Sequence, residues 1–400
     1  MAARRASSVR DVMSGFLMFR RIYRLFCRLT FGLPMHKILL LTRYDRLGAS
    51  SRVRFLQFLP ALAAQGFDFD VRPFFGDEYV RALYSGKKMS IASVAASYWR
   101  RLAVLLRRRR YDLIWLEKEA LPWIPDWIET ALLSGVPYVV DLDDAWFHRY
   151  DQQRSAFLRW MLGAKIDVVM RQASTVVVGN DYLAERARQA GARRIVLIPS
   201  TIDLDRYPSG PPRDQVSDQA SRHVIIGWIG TPITVPYLAS IEPAVRAVAT
   251  EAPMILRIVG AQPPADFAGL PTESVAWSEA TEIKQILDLD IGIMPLANTV
   301  WEKGKCAYKL LQIMAAGRPV IASPVGANCV VVQHGINGFL ANSSEEWITA
   351  LRSLISDPAL RQRLGAAARQ TVELNYSTQK VLPSLVSVLK DAIGSAGRPR

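Results

Sequence analysis

The stretch Gly304-Lys-Cys-Ala-Tyr-Lys-Leu-Leu-Gln-Ile-Met-Ala-Ala-Gly-Arg-Pro-Val-Ile-Ala-Ser-Pro-Val-Gly326 decides the fold. Its first half predicts a helix that starts near Lys305 and buries Leu310, Leu311, Ile313 and Met314. Its second half contains Val320–Ala322, a short apolar run of the kind that forms a strand covered on both faces. A similar run, Ile291–Met294, precedes it, so the segment closes a strand–helix–strand unit.

The same alternation extends outward in both directions. Val224–Trp228 and Ile255–Val259 read as further strands of this half. Earlier in the chain, His36–Thr42, Phe67–Arg72, Asp112–Leu116, Tyr138–Leu142, Thr175–Val178 and Ile195–Ile198 form a second set, with helical stretches such as Leu121–Leu133 and Tyr182–Ala190 between them. The two sets are separated by Tyr207–Arg222, broken by Pro208, Gly210, Pro211 and Pro212. The pattern predicts an α/β chain of two doubly wound parallel sheets facing a cleft. Residues 35–206 form the first domain, 207–222 the linker and 223–375 the second domain. Residues 376–400 then supply a helix, Ser377–Ile393, that crosses back to the first domain before a short tail.

Half of the 400 residues are hydrophobic and 22% are charged, which supports sizeable cores and excludes a disordered chain. The three cysteines, Cys27, Cys306 and Cys329, lie too far apart for a disulfide framework or a Cys-x-x-Cys zinc site, which fits a reducing cytosol. Four histidines argue against a histidine-rich metal centre. The apolar stretch Gly15–Leu33 is interrupted by Arg20, Arg21, Arg24 and Arg28, so neither a spanning helix nor a signal peptide is expected.

The net charge of +14 belongs entirely to residues 1–200, which hold 32 Lys and Arg against 18 Asp and Glu. On a helical wheel Val12, Phe16, Phe19, Ile22, Tyr23, Leu25, Phe26 and Leu29 share one face, with Arg10, Arg20, Arg21, Arg24 and Arg28 on the other and Met13 and Leu17 as the exceptions. This leader, residues 1–34, has the pattern of a helix lying in an anionic membrane surface, and Arg100, Arg101 and Arg107–Arg110 form a second basic cluster. A solvated helix packed on the domain is the plainer alternative. No zinc-finger or RNA-recognition signature is present, so nucleic acid is not the expected partner. Residues 4–33 and 100–110 are therefore read as the membrane-facing parts of a cytoplasmic, peripheral protein.

Three places carry chemistry. After the first strand, Gly48, Ser50 and Arg52 sit where small residues and a helix start receive an anion, and Arg52 offers a fork for phosphate or carboxylate. A plain strand–helix turn would read the same way. Asp141-Leu-Asp143-Asp144-Ala-Trp-Phe-His148 ends a strand; its Asp-x-Asp form fits a metal pair, sugar-hydroxyl contacts, or simply a turn capping the next helix. Lys305 and Lys309 fall four apart at the positive end of the predicted helix, where a diphosphate would relieve their repulsion, and Gln312, a turn further on, can reach a ribose hydroxyl.

The segment from Gly304 to Gly326 resembles the donor-binding signature of glycosyltransferase family 4, retaining enzymes of the two-Rossmann-domain GT-B fold. The likeness extends over roughly residues 36–390. It includes Leu116–Trp123, Tyr138–Tyr150, Val178-Gly-Asn-Asp-Tyr-Leu183, Ile198-Pro-Ser-Thr-Ile-Asp203 and Gly227-Trp-Ile-Gly-Thr231. The family's Glu-x7-Glu motif is altered: Gln312 stands at the second position, the ribose contact, and Gly304 at the first, the sugar contact. The chain thus resembles a subgroup with Gly-Lys-Cys-x-x-Lys-Leu-Leu-Gln in that place. The cations common after the first strand of the second domain are also missing from Gly230-Thr-Pro-Ile-Thr234.

The resemblance implies a hexosyl transferase that holds a nucleotide sugar without a metal or other cofactor. By it Gly48, Ser50, Arg52, Gly230, Thr231, Gly304, Lys305, Lys309 and Gln312 bind the donor, with Lys305 and Lys309 replacing the missing cations. His148 matches the family's histidine at the donor sugar, while Glu117, Glu119, Asp143 and Asp144 are acceptor-side candidates. The basic leader points to a lipid-linked saccharide acceptor of cell-surface polysaccharide assembly. A nucleotide-sugar epimerase on the same fold and a non-catalytic membrane-bound partner are the alternatives.

Overall fold

The structure is a computed structural model that describes residues 35–208 and 223–394. The leader helix proposed for residues 1–34, most of the linker and the final tail lie outside the described residues.

The first sheet contains β1 (His36–Leu41), β2 (Phe67–Val71), β3 (Leu113–Glu117), β4 (Tyr138–Leu142), β5 (Thr175–Val178) and β6 (Ile195–Leu197), in the order β2-β1-β3-β4-β5-β6. The second contains β7 (Val224–Ile229), β8 (Met254–Val259), β9 (Thr272–Val275), β10 (Ile291–Met294), β11 (Val320–Ala322) and β12 (Gly338–Leu340), in the order β12-β11-β10-β7-β8-β9. All pairings between these strands are parallel. Helices cover both faces, which is why β1 carries an unbroken run of fully buried residues, Ile38 to Leu41.

The direction of winding reverses at β1/β3 in one sheet and at β7/β10 in the other. Loops leaving neighbouring strands diverge there and open a crevice at the carboxyl ends. The crevice edges in the first domain are the Gly48 loop after β1 and the Lys118 loop after β3. In the second they are the Gly230 loop after β7 and the segment after β10 that leads to Gly304.

Two strands carry no readable apolar run. β9 is a half-exposed edge strand, Thr-Glu-Ser-Val, and β12 is three residues long. The helix proposed for Leu121–Leu133 is shortened to Asp126–Leu133, because Trp123 takes a left-handed conformation (φ 60°) and Pro125 lacks the N–H that a helix from Leu121 would need. The helix expected from Lys305 starts only at Tyr308, since Ala307 takes a left-handed conformation (φ 54°) and breaks the chain direction. Tyr207, assigned to the linker, is instead buried in the second domain's core.

The last helix, Thr378–Gly394, lies on the first domain. Its Val381, Leu385, Val388 and Leu389 share a core with Phe55, Leu62 and Trp115. Each such buried side chain contributes about 1.5–3 kcal/mol. Ile202 pairs with Ser377 where the chain returns, and Arg194 binds Asp391 at 2.9 Å.

Candidate active site

A cavity of about 600 Å³ opens at the second domain's switch point and is closed on one side by the first domain. Its floor requires small residues. A Cβ on Gly230 would lie 2.0 Å from the Trp228 ring, and one on Gly260 (φ 92°) would lie 2.3 Å from the Gly230 carbonyl oxygen. Thr231 also lines the floor and starts the helical turn Pro232–Ile241, its amide donating to Thr234 Oγ1 at 3.1 Å.

Two cations converge on this space, one from each domain. Lys309, in the first turn of the helix Tyr308–Ala315, donates to Thr234 Oγ1 at 3.2 Å and lies 4.6 Å from the Trp228 ring centroid. Burial, and after it the charge of Lys305, depress its pKa to about 7. Arg52, 6% exposed, donates to the Arg46 carbonyl at 3.1 Å and stacks 5.0 Å over Trp277. Among the described residues neither cation is paired with a carboxylate. Gln312, 2% exposed, also lines the cavity, and its buried Nε2 has no hydrogen-bond partner. Two unpaired cations and an unsatisfied donor in one crevice form a site for an anionic, hydroxyl-bearing ligand.

The other proposed donor residues lie around this cavity rather than in it. Gly48 caps the helix Ala49–Arg54, and a Cβ there would meet Tyr44 Cβ at 2.4 Å, so it lets that helix and Arg52 approach. Ser50 Oγ is 3.4 Å from Lys118 Nζ, away from the cavity. Gly304 touches the first domain: a Cβ would be 2.4 Å from the Ala145 amide nitrogen. A glutamate there would collide with that loop, and the nearby Glu302 is taken up by Tyr237 and Thr299. Lys305 precedes the helix, so it does not share a helical face with Lys309. Its Nζ points across the cleft to Asp144 at 4.0 Å. The paired-lysine reading is corrected by the left-handed turn at Ala307.

The first-domain carboxylates have partners of their own. Glu119 accepts from Trp146 Nε1 at 2.7 Å, Tyr150 Oη at 2.6 Å and Lys165 Nζ at 2.7 Å, and pairs with Arg43 at 3.3 Å. Burial opposes its ionisation, but Lys165 and Arg43 hold it below the usual carboxylate range. Glu117 accepts from Ser51 Oγ and the Arg43 amide at 2.6 and 2.8 Å. Both are buried supports of the sheet edge, not surfaces presented to an acceptor. Asp141 binds Arg54 at 2.8 Å, whereas Asp143 binds Lys118 at 2.9 Å. Asp144, 3.7 Å from Lys118, is the most open of these three acids and faces Lys305. His148 commits both ring nitrogens, one to Asp151 at 2.9 Å and one to Tyr182 Oη at 2.8 Å, and does not line the cavity.

Residues 40–201 match the family model of a glycosyl transferase 4-like domain, and residues 224–357 match that of glycosyl transferases group 1. The chain belongs to the glycosyl transferases, with a 4-like first domain and a group 1 second domain. Among curated relatives, the transferase is 35% identical over 80 residues to spore coat protein SA of Bacillus subtilis (strain 168), which covers 19% of this chain and 21% of the relative. It is 38% identical over 78 residues to the D-inositol 3-phosphate glycosyltransferase of Rhodococcus opacus (strain B4), covering 19% and 17%. The matched stretch thus spans about a fifth of these relatives. Among solved structures, Anabaena Alr3699/HepE in complex with UDP and glucose superposes with a TM-score of 0.64 at 16% identity, covering 89% of this chain and 100% of that one. That likeness shows the GT-B fold.

The transferase holds its two domains together at several points. Arg46 pairs with Glu279 at 2.8 Å, the Asn180 amide donates to the Lys303 and Lys305 carbonyls at 3.2 and 3.0 Å, and the Cys306 thiol donates to the Asp143 carbonyl at 3.1 Å. Trp146 and Trp301 meet across the cleft at 6.1 Å. Among the residues that sequence reading missed are Trp277 and Glu282, which line the cavity, and Tyr207, which lies beside Glu282 and Gln312. Trp277 follows the unrecognised β9, Glu282 starts the short helix after it, and Tyr207 sits among loop-forming residues. Trp277 just after an edge strand is the one signal that would have flagged the region.

Proposed function

We propose that this transferase moves a sugar, with retention of configuration, from a nucleotide-sugar donor to a saccharide acceptor, in the assembly of a cell-surface polysaccharide. The observation that carries the reading is the pair of unpaired cations, Arg52 and Lys309, brought by opposite domains to one cavity. Both face the site a diphosphate would occupy, and both stabilise charge that grows as the sugar–phosphate bond breaks. The leaving phosphate oxygen takes the acceptor hydroxyl's proton while that hydroxyl attacks from the same face, so no protein nucleophile is needed. The cations do the work of a metal, and the reaction proceeds without one. The complex of Anabaena Alr3699/HepE with UDP and glucose, on the same fold, supports this donor class.

The acceptor side rests on surface chemistry. Arg100, Arg107, Arg109 and Arg110 are exposed beside Trp99 and Leu106, which are 72% and 64% exposed. Arg101, counted in the basic cluster, is instead buried; it donates to the Thr42 carbonyl at 2.8 Å, and burial lowers its pKa to about 9. No helix among the described residues is long and apolar enough to cross a membrane. We assign the exposed arginines with Trp99 and Leu106, together with the basic leader, to an anionic cytoplasmic membrane face carrying a lipid-linked acceptor.

The test is a panel of nucleotide sugars incubated with purified protein and a lipid extract, with and without EDTA, scoring nucleoside diphosphate release. Release that needs the lipid and resists EDTA is expected. Release lost to EDTA and restored by manganese would overturn the metal-free reading. Interconversion of the sugar without transfer would identify an epimerase. Binding without turnover would identify a non-catalytic partner.

A further inference from the structure

Glu282 is a buried carboxylate, 3% exposed, on the wall of the cavity and outside every motif the sequence shows. It accepts from Trp277 Nε1 at 2.9 Å, which turns the indole edge toward Glu282 while the ring face lies under Arg52. Its helix, Glu282–Leu287, packs against the helix Tyr308–Ala315 that carries Lys309 and Gln312. Tyr207 lies beside both Glu282 and Gln312, and burial followed by the Glu282 charge pushes its phenol up.

Gln312 stands about 4.5 Å along the helix axis from Lys309, at 1.5 Å per residue. In a nucleoside diphosphate the ribose adjoins the diphosphate, so a group one turn beyond the phosphate-holding lysine is at ribose depth. A ribose cis-diol needs a donor for its oxygens and an acceptor for its hydroxyl hydrogens. Gln312 Nε2 is a buried donor with no partner. Glu282 is the carboxylate on the cavity wall. Resting on the nucleotide-sugar reading above, we propose that Glu282 accepts the ribose hydroxyls of the donor while Gln312 donates to them. The charge absent at position 312 is thereby supplied from a neighbouring helix.

A site built around a hydroxyl rejects the analogue that lacks it, because its polar groups are then left unpaired. The experiment is calorimetric titration of the full chain with uridine, guanosine, adenosine and cytidine 5′-diphosphates, followed by the 2′-deoxy form of the tightest. The unaltered protein is expected to favour the ribose form by about tenfold or more. Glu282→Gln should erase that preference by weakening only the ribose form, at an unchanged unfolding midpoint. Glu282→Asp, which keeps the charge, should retain part of the preference. Equal weakening of both forms by Glu282→Gln would mean that Glu282 acts only by holding Trp277, and would overturn the proposal. So would ribose and deoxyribose forms bound equally by the unaltered protein, a result that leaves the donor reading standing. Binding of none of the four diphosphates overturns both.

Discussion

The two faces of the cleft use their charged groups in opposite ways. On the first domain's face, Glu119 is bound by Arg43 and Lys165, Asp141 by Arg54, and Asp143 by Lys118. On the second domain's face, half-buried Lys309 has no carboxylate partner among the described residues, Gln312 is buried with its Nε2 unsatisfied, and Arg52 reaches over to join them. A buried charge that is already paired has no free energy left to offer a ligand. One that is unpaired has been held out of water at a cost that a ligand relieves. The comparison teaches that proximity to the cleft does not identify ligand-binding groups; unsatisfied partners do.

The largest effect should come from breaking the paired side. Lys165→Met leaves Glu119 and Glu129 buried without their shared cation, 2.7 and 3.0 Å away, and should cost about 3–5 kcal/mol in denaturant unfolding. A loss below 1 kcal/mol would mean the network is not supporting the sheet edge.

Next comes the unpaired side. Lys309→Ala should weaken nucleoside diphosphate binding by roughly 1.5–3 kcal/mol, the worth of a charged hydrogen bond, with no loss of stability. Lys305→Ala, whose ammonium already faces Asp144, should cost less than about 1 kcal/mol in the same titration. Equal effects would restore the paired-lysine reading and remove the difference between the two lysines.

A third prediction uses pH. Lys309 has its folded pKa depressed to about 7 from an ordinary 10.5. Between those values the unfolded chain binds the extra proton, so this group makes the ligand-free fold more stable as pH rises through the window. Diphosphate binding needs the charged form and should weaken over the same rise, by up to about tenfold per pH unit above 7. Lys309→Arg keeps its charge and should flatten the profile. A flat profile in the unaltered protein would show that Lys309 is charged before the ligand arrives.

The smallest effect is expected at the exposed tie between the domains. Arg46→Ala removes the pair with Glu279, whose arginine side chain is 64% exposed, and should change stability by no more than about 1 kcal/mol. A larger loss would mean that this surface contact, rather than the buried ones at Asn180 and Cys306, fixes the domain arrangement.

Most strands were legible because parallel strands covered on both faces need continuous apolar runs. β4, β5, β10 and β11 fall where the sequence places them. β9 and β12 were not, because both are edge strands with at most one buried residue, too little to leave a pattern. The cavity was half legible. Arg52, Gly230, Thr231, Lys309 and Gln312 line it, while Gly48, Ser50, Gly304, Lys305 and His148 lie elsewhere. Those five follow local motifs, and a motif does not show which way a side chain turns once the opposing domain is in place.

The sequence by itself determined the α/β alternation, the two-domain restart and the family, since all three rest on local pattern and on spacing within one segment. Tertiary structure alone decided which charges remain unpaired. Whether Glu119 is free depends on Lys165, 46 positions away, and whether Glu282 reaches a ligand depends on a helix from a different part of the second domain. Electrostatic satisfaction is a property of distances in space, and those are set by packing rather than by order along the chain.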